Sequence, residues 1–472
     1  MRLLLILCLL SFVTPALAKQ PNILFIFADD QCFDTLNAWG NEEVETPNLD
    51  RLARSGVTFR RAYNMGSWSG AVCVASRTML NTGRFLWRAN AVHPKLATER
   101  SEGRFWSEIL RGAGYETYFS GKWHVGKMSI CEAAFDNARH IRPGMPNQTP
   151  AGYNRPVEGE PDKWSPYDKK FDGFWKGGKH WSEVLGDDAV DYLAQASESD
   201  KPFFMYLAFN APHDPRQSPK EFVDKYPLEK IAMPKNFLPE YPFKDYIGCG
   251  KNLRDEKLAP FPRTEYAVKV NRQEYYAIIT HMDQQIGRIL DALEKTGKKE
   301  ETYIFYSADH GLAVGQHGLL GKQNLYDHSV RVPFIVAGPD LEAGKEVDAP
   351  VYLQDVMASS IDLAGVDKPE HVEFNSVMSL ARGDTDKHPY DAVYGAYLQL
   401  QRSVTMDGYK LIVYPKAART RLYNLKEDPL ERKDLANLDE HRKMKQKLFR
   451  RLLELQEQMD DELDLKSVFA NI

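Results

Sequence analysis

The chain has 472 residues, 43% of them hydrophobic, enough to bury a large core and to build more than one structural unit. Its formal net charge is −5 and its basic residues are spread out rather than massed, which excludes the electrostatic footprint of a nucleic-acid binder. Five cysteines in so long a chain exclude a disulfide scaffold.

Arg2 precedes an apolar run from Leu3 to Val13, and Ala16-Leu17-Ala18 supplies small residues at a cleavage point. Residues 1–18 are therefore expected to be a secretory signal peptide, with Lys19 opening an exported chain, periplasmic or secreted, or lysosomal or extracellular in a eukaryote. Cys8, between Leu7 and Leu9, does not suit lipid attachment. The apolar run is too short for a bilayer and no later segment qualifies, so no membrane partner is expected.

Asn22 to Ala28 is apolar on both faces, as a strand covered by helices on each side must be, and it ends in Asp29-Asp30. Thr46 caps a helix with Pro47 in its first turn, Leu49, Leu52 and Ala53 on one face, and Gly56 at its stop. Cys73-Val74-Ala75-Ser76-Arg77, continuing to Thr82-Gly83-Arg84, sets a thiol and a guanidinium four residues apart, on one face of a helix. A nucleophile precursor beside a permanent cation suits attack on an anion, although the spacing alone fits equally a buried thiol and a surface ion-pair partner. If Cys73 is used chemically, at most one bridge can form among Cys32, Cys131 and Cys249.

Phe105 to Ala113 repeats the helical pattern, and Tyr115 to Phe119 reads as a strand running into Gly121-Lys122-Trp123-His124. From about residue 128 to 181 periodicity fails, prolines alternate with Trp and Tyr, and a long loop is expected. A helix from about 182 to 196 leads to the buried strand Phe203 to Phe209, which ends at Ala211-Pro212-His213. A second irregular stretch, about 214 to 262, precedes a helix from about 272 to 295. The strand Thr302 to Tyr306 ends at Asp309-His310-Gly311, a loop carries Lys322, and Val332 to Ala337 is again a strand. Beyond about residue 385, short strand-like pieces with a turn at Asp407-Gly408 suggest a small antiparallel sheet, followed by an amphipathic helix from about 441 to 461.

This alternation argues for an α/β fold: a large, mostly parallel sheet covered by helices on both faces, with a smaller C-terminal antiparallel sheet plus helix. The expected division is a catalytic domain over 19–385 and a subdomain over 386–472. In open parallel sheets ligands bind at the carboxyl edge, so the clusters that end the strands should share one crevice. Asp29, Asp30 and Asp309 repel one another unless a hard divalent cation, calcium or magnesium, lies between them. Arg77, Lys122, Lys322, His124, His213 and His310 around such an ion call for an anionic tetrahedral group in transfer, that is, phosphoryl or sulfuryl ester hydrolysis.

On these motifs, with Leu422-Tyr423-Asn424-Leu425 and Asp428-Pro429 near the end, the chain resembles the formylglycine-dependent sulfatases of the alkaline phosphatase superfamily. His310, where many relatives carry asparagine, resembles the iduronate-sulfatase-like and choline-sulfatase-like branches. The resemblance implies that Cys73 is oxidised to formylglycine by a formylglycine-generating or sulfatase-maturing enzyme. It implies that Asp29, Asp30, Asp309 and His310 bind calcium, ahead of magnesium or manganese, which also contacts residue 73. One hydroxyl of the hydrated aldehyde would attack sulfur and displace the alcohol, and His124 would help the second hydroxyl expel sulfate. Arg77 and Lys122 would hold the formylglycine, while His213 and Lys322 would contact the sulfate, with His213 as the acid. Long aromatic loops around the pocket favour a sulfated carbohydrate substrate. A phosphonate or phosphate ester hydrolase and an inactive glycan-binding homologue are the alternatives, and monomer and homo-oligomer both remain open.

Overall fold

The computed structural model describes residues 19–145 and 149–470, so the expected signal peptide lies outside the described residues. Strands β1 (Asn22–Ala28), β2 (Val57–Tyr63), the two-residue β3 (Gly66–Ser67), β4 (Glu116–Lys122), β5 (Asn137–Arg142), β6 (Phe203–Ala208) and β7 (Thr302–Ala308) come first. They are followed by β8 (Arg331–Val332), β9 (Phe334–Ala337), β10 (Lys345–Tyr352), β11 (Val393–Tyr397), β12 (Gln401–Met406), β13 (Tyr409–Tyr414) and β14 (Arg419–Asn424). The main sheet runs β10-β2-β9-β7-β1-β6-β4-β5, with β8 beside β2. From β7 through β1, β6 and β4 to β5 every pairing is parallel, whereas β9 runs antiparallel to both β7 and β2. The α/β reading therefore holds.

The central strands are completely buried because their side chains are apolar on both faces: no residue from Ile23 to Ala28 is exposed at all. Helices α1 (Pro47–Ser55), α2 (Val72–Thr82), α3 (Trp106–Gly112), α4 (Met128–Ala134), α5 (Trp181–Ser197), α6 (Glu265–Lys295) and α7 (Arg442–Gln458) accompany the two sheets. Phe25 of β1, Trp106 of α3 and Tyr206 of β6 pack with ring centroids 5.0 to 5.7 Å apart, a typical aromatic core contact. The smaller sheet has the order β14-β13-β12-β11-β3, antiparallel apart from β3, which joins β11 in parallel from far back in the chain. Asp407 (φ 55°) and Gly408 (φ 79°) form the two-residue turn between β12 and β13. Among the described residues no helix is long and apolar enough to cross a membrane.

Several local expectations need correction. The stretch 128–181 is not one loop: it contains α4 and β5, an edge strand whose half-exposed Asn-Ala-Arg-His-Ile-Arg sequence carries no apolar alternation. Helix α6 starts at Glu265, seven residues before the expected start, because the Thr264 hydroxyl accepts from Ala267 N–H and caps it. Thr46 precedes α1 but its hydroxyl does not cap it; it donates to Asp50 (3.1 Å) and accepts from Asn37 N–H (2.9 Å). Pro333 splits the expected Val332–Ala337 strand, and β2 and β10 add two strands not anticipated. The four described cysteines are all buried free thiols.

Candidate active site

Sheet register brings the strand ends together. Ala28 pairs with Ala308 and Phe27 with Ala208, so Asp29, Asp309 and the segment after β6 leave the sheet side by side. Asp29 N–H donates to the Ala211 carbonyl (3.0 Å), and Asp30, in the left-handed region at φ 69°, donates its N–H to Asp309 Oδ1 (3.1 Å). Gly121, at φ 102°, allows β4 to approach β6 here, since a Cβ at that position would lie 1.9 Å from the Ala208 carbonyl oxygen. Lys122 follows immediately.

Cys73 lies in the first turn of α2, where the N-cap Ala71 has no side-chain acceptor to offer, so the helix presents an uncapped positive end. One turn later Arg77 is fully buried rather than a surface partner. Its Nε donates to Asp309 Oδ2 (2.9 Å), its Nη1 to the Lys122 carbonyl (2.7 Å), and its Nη2 stands 3.8 Å from Asp29. Lys122 Nζ contacts Asp29 Oδ2. Lys322 Nζ donates to the Asp30 oxygens (2.8 and 3.0 Å), and lies 2.8 Å from His213 Nε2 and 3.6 Å from Cys73 Sγ. His310 Nδ1 meets the Gly311 carbonyl (2.9 Å), which leaves Nε2 facing Asp30 Oδ1 (3.0 Å) and Cys73 Sγ (3.4 Å). His213 Nδ1 faces the Asp214 carbonyl (2.8 Å) and Oδ1 (3.1 Å). His124, at φ 54°, stands beside the Cys73 thiol with Gly144 packed on its imidazole. All ten sequence-selected residues meet in one cluster.

The charges shape one another. Burial and the neighbouring Asp309 carboxylate push Asp29 well above the usual carboxylate range, against the pull of Lys122. Burial would raise Asp30 too, but His213, Lys322 and His310 hold it below that range. Burial would also raise the Cys73 thiol, yet Lys122, Lys322 and His310 bring it well below its ordinary value. Burial lowers His124. At His213 burial is outweighed by Asp30 and Asp214, and the imidazole is raised to about 9.

These residues fit a divalent cation. Ligand atoms of Asp29, Cys73, Asp309 and His310 all lie within 4.8 Å of one another, as do those of Asp29, Asp30, Cys73 and His213. Asp29 Oδ1 is buried with no hydrogen-bond partner, a costly arrangement that a cation relieves. Sequence reasoning missed the supporting groups. Asn64 Nδ2 donates to the Asp309 carbonyl (2.5 Å), and Arg254 Nη2 lies 3.4 Å from His213 Nε2 and 2.6 Å from Asp255. Asp214 was detectable as the residue next to His213; Arg254 and Asp255 lie in an irregular stretch that carries no signal.

Comparison with known proteins gives a consistent picture. Residues 21–366 match the family model described as "Sulfatase", and residues 315–458 match "N-sulphoglucosamine sulphohydrolase, C-terminal". The chain is 25% identical over 523 aligned positions to the N-acetylglucosamine-6-O-sulfatase of Bacteroides thetaiotaomicron, covering 94% of this chain and 87% of that one. Its fold is similar to that of a protein solved in complex with its substrate D-glucosamine-2-N,6-O-disulfate (TM-score 0.71, 22% identity, 95% and 100% coverage). It is similar also to a phosphonate monoester hydrolase from Silicibacter pomeroyi (TM-score 0.74, 20% identity, 94% and 96% coverage).

Proposed function

The chain belongs to the sulfatase family of the alkaline phosphatase superfamily and is a hydrolase of that family; from this premise we propose that it is an exported enzyme releasing sulfate from a sulfated carbohydrate. The carrying observation is the position of Cys73, on a helix N-terminus, 3.6 Å from Lys322 and 3.4 Å from His310, within a ring of cations and carboxylates. The similarity to an N-acetylglucosamine-6-O-sulfatase supports a sugar substrate.

Oxidised by a maturing enzyme, residue 73 would supply a hydrated aldehyde as the nucleophile. Calcium held by Asp29, Asp30, Asp309 and His310 would supply positive charge that polarises oxygen at this centre. Arg77, clamped by Asp309 and the Lys122 carbonyl, fixes the floor beneath residue 73. Lys122 and Lys322 meet the negative charge of the sulfuryl oxygens. His213, which Asp30 and Asp214 raise to about 9 against burial, stands where it can give a proton to the leaving alcohol oxygen, with Asp214 holding its Nδ1. His124, lowered by burial, stays neutral and takes a proton on the nucleophile side.

A sulfate-release screen over glycosaminoglycan and algal polysaccharide fragments, paired with mass analysis of the Cys73 peptide, tests the proposal. Protein with converted Cys73 that releases no sulfate from any fragment or aryl sulfate overturns it. Rates on matched aryl sulfate and aryl phosphonate esters decide between sulfuryl and phosphonyl transfer.

A further inference from the structure

A groove of about 550 Å³ opens beside the end of β5 and the start of α5, lined by His140, Arg142, Met145, Lys176, Lys179 and Trp181. Its cations are not equivalent. His140 pairs with Asp188 (2.7 Å) and Lys179 with Asp187, so both are compensated. Arg142 is different: its guanidinium carbon stands over the Trp181 ring, 3.7 Å from the centroid, and among the described residues it forms no ion pair. Asp188, the carboxylate whose charge acts on Arg142, already accepts from Ser120 (2.6 Å) and meets His140. Lys176, exposed at the rim, is likewise without a carboxylate partner among the described residues.

Half-burying a guanidinium with only a shared carboxylate to offset it is unfavourable, and burial, against the pull of Asp188, lowers Arg142 to about 10. The stack on Trp181 orients the planar fork without neutralising it, which leaves the charge available to an external anion. The groove also adjoins the catalytic cluster. Arg142 is the register partner of Lys122, one strand spacing (about 4.8 Å) away in the sheet. Gly144, two residues on, packs against the His124 imidazole, and its carbonyl accepts from Asn210 (2.6 Å).

We infer that this groove is a second anion subsite, in which Arg142 and Lys176 hold a sulfate or carboxylate on a sugar neighbouring the one being desulfated. The inference rests on the sulfated-carbohydrate reading above. It assigns the chain a preference for polyanionic oligosaccharides over singly charged ones.

The test is calorimetric titration of the full chain, made inactive by Cys73→Ala, with three tetrasaccharides: one sulfated only (carrageenan), one carboxylated only (hyaluronan) and one carrying both (heparin). Adding Arg142→Gln is expected to weaken binding of those that bind by about tenfold or more, the range for a lost charge-assisted pair. It should also flatten the dependence of affinity on salt, and Arg142→Lys should restore part of both. The three probes show which anion the groove takes. Because Arg142→Gln removes a poorly compensated charge, its melting temperature should not fall; Lys176→Gln, at an exposed position, gives the same reading should Arg142→Gln fail to fold. Unchanged affinity and salt dependence in both Gln variants, or no binding of any probe by the parent, overturns the inference. An aryl sulfate, too small to span to the groove, tests the reaction separately. Its turnover by the wild-type chain alongside unaltered oligosaccharide binding in the variants refutes the groove alone, whereas no sulfate release from it or from any glycan fragment by protein with converted Cys73 refutes the reaction.

Discussion

Lys322→Met isolates one charge of the cluster around Cys73. Lys322 Nζ stands 3.6 Å from Cys73 Sγ, so a sulfuryl oxygen brought to residue 73 lies about 4 Å from the ammonium, where a unit charge pair at an effective dielectric of ~20 is worth about 4 kcal/mol. That is a ceiling of about 10³ in rate, and removal of one positioned donor in comparable sites costs about 10² to 10³ in kcat. The fold should survive. Asp30 keeps His310 at 3.0 Å and His213 at 3.5 Å, so the loss stays below the roughly 3–5 kcal/mol expected when a buried charge is stripped of its partner. Steady-state kinetics on 4-nitrophenyl sulfate with a thermal melt of the same sample supplies the measurement. A folded variant that loses less than tenfold in kcat would refute the argument that Lys322 stabilises the transferring group.

Cys73→Ala should abolish turnover while leaving the melting temperature near that of the parent, since a small buried side chain is exchanged for another; near-normal activity would remove Cys73 as the nucleophile's source. Calcium added after chelation should raise the melting temperature, with about 2.7 kcal/mol of stabilisation at a hundredfold excess over Kd, and Asp29→Asn should blunt the effect. A melt indifferent to calcium, magnesium and manganese argues against a metal at this site. Asp355 accepts from Tyr352 N–H, Asn375 N–H and the Tyr390 hydroxyl, yet burial raises its carboxyl to about 7. A carboxyl raised on folding stabilises the protonated native state, so this contribution is complete below the unfolded value of about 3.9 and falls by about 1.4 kcal/mol per pH unit up to about 7. Chemical denaturation across that window should therefore slope more steeply in wild type than in Asp355→Asn; parallel profiles would contradict it.

The strands that build the site were legible because they are the most buried ones. Ile23 to Ala28, Phe203 to Phe209 and Tyr303 to Tyr306 read as continuous apolar runs, and each leads within a few residues into a polar or charged cluster. The strands that escaped notice lie on the far side of the sheet or at its edge. Paired arginines interrupt β2, the first half of β10 alternates Lys, Glu, Val and Asp at the surface, and β5 is half exposed along its length. Their pairing is decided by partners distant in sequence, such as Val57 with Lys345, and local pattern carries no record of that. The same limit hid Arg254 and Asn64, which reach the cluster from segments without periodicity.

The four-residue spacing of Cys73 and Arg77 put both on one helical face, but it could not say which way that face pointed. The tertiary structure turns it inward, with Arg77 over the Phe27 ring (4.9 Å) and against Asp309, so a residue that reads as a surface cation becomes the anchor between α2 and the strand ends. The two histidines illustrate the same point chemically. His124 and His213 are indistinguishable in sequence, each just beyond a buried strand. Their environments separate them: His213 has Asp30 and Asp214 beside its two nitrogens, whereas burial dominates at His124 and the Lys122 charge adds to it. The two imidazoles are therefore shifted in opposite directions, His213 up and His124 down, and that separation is supplied by carboxylates the fold delivers to one of them.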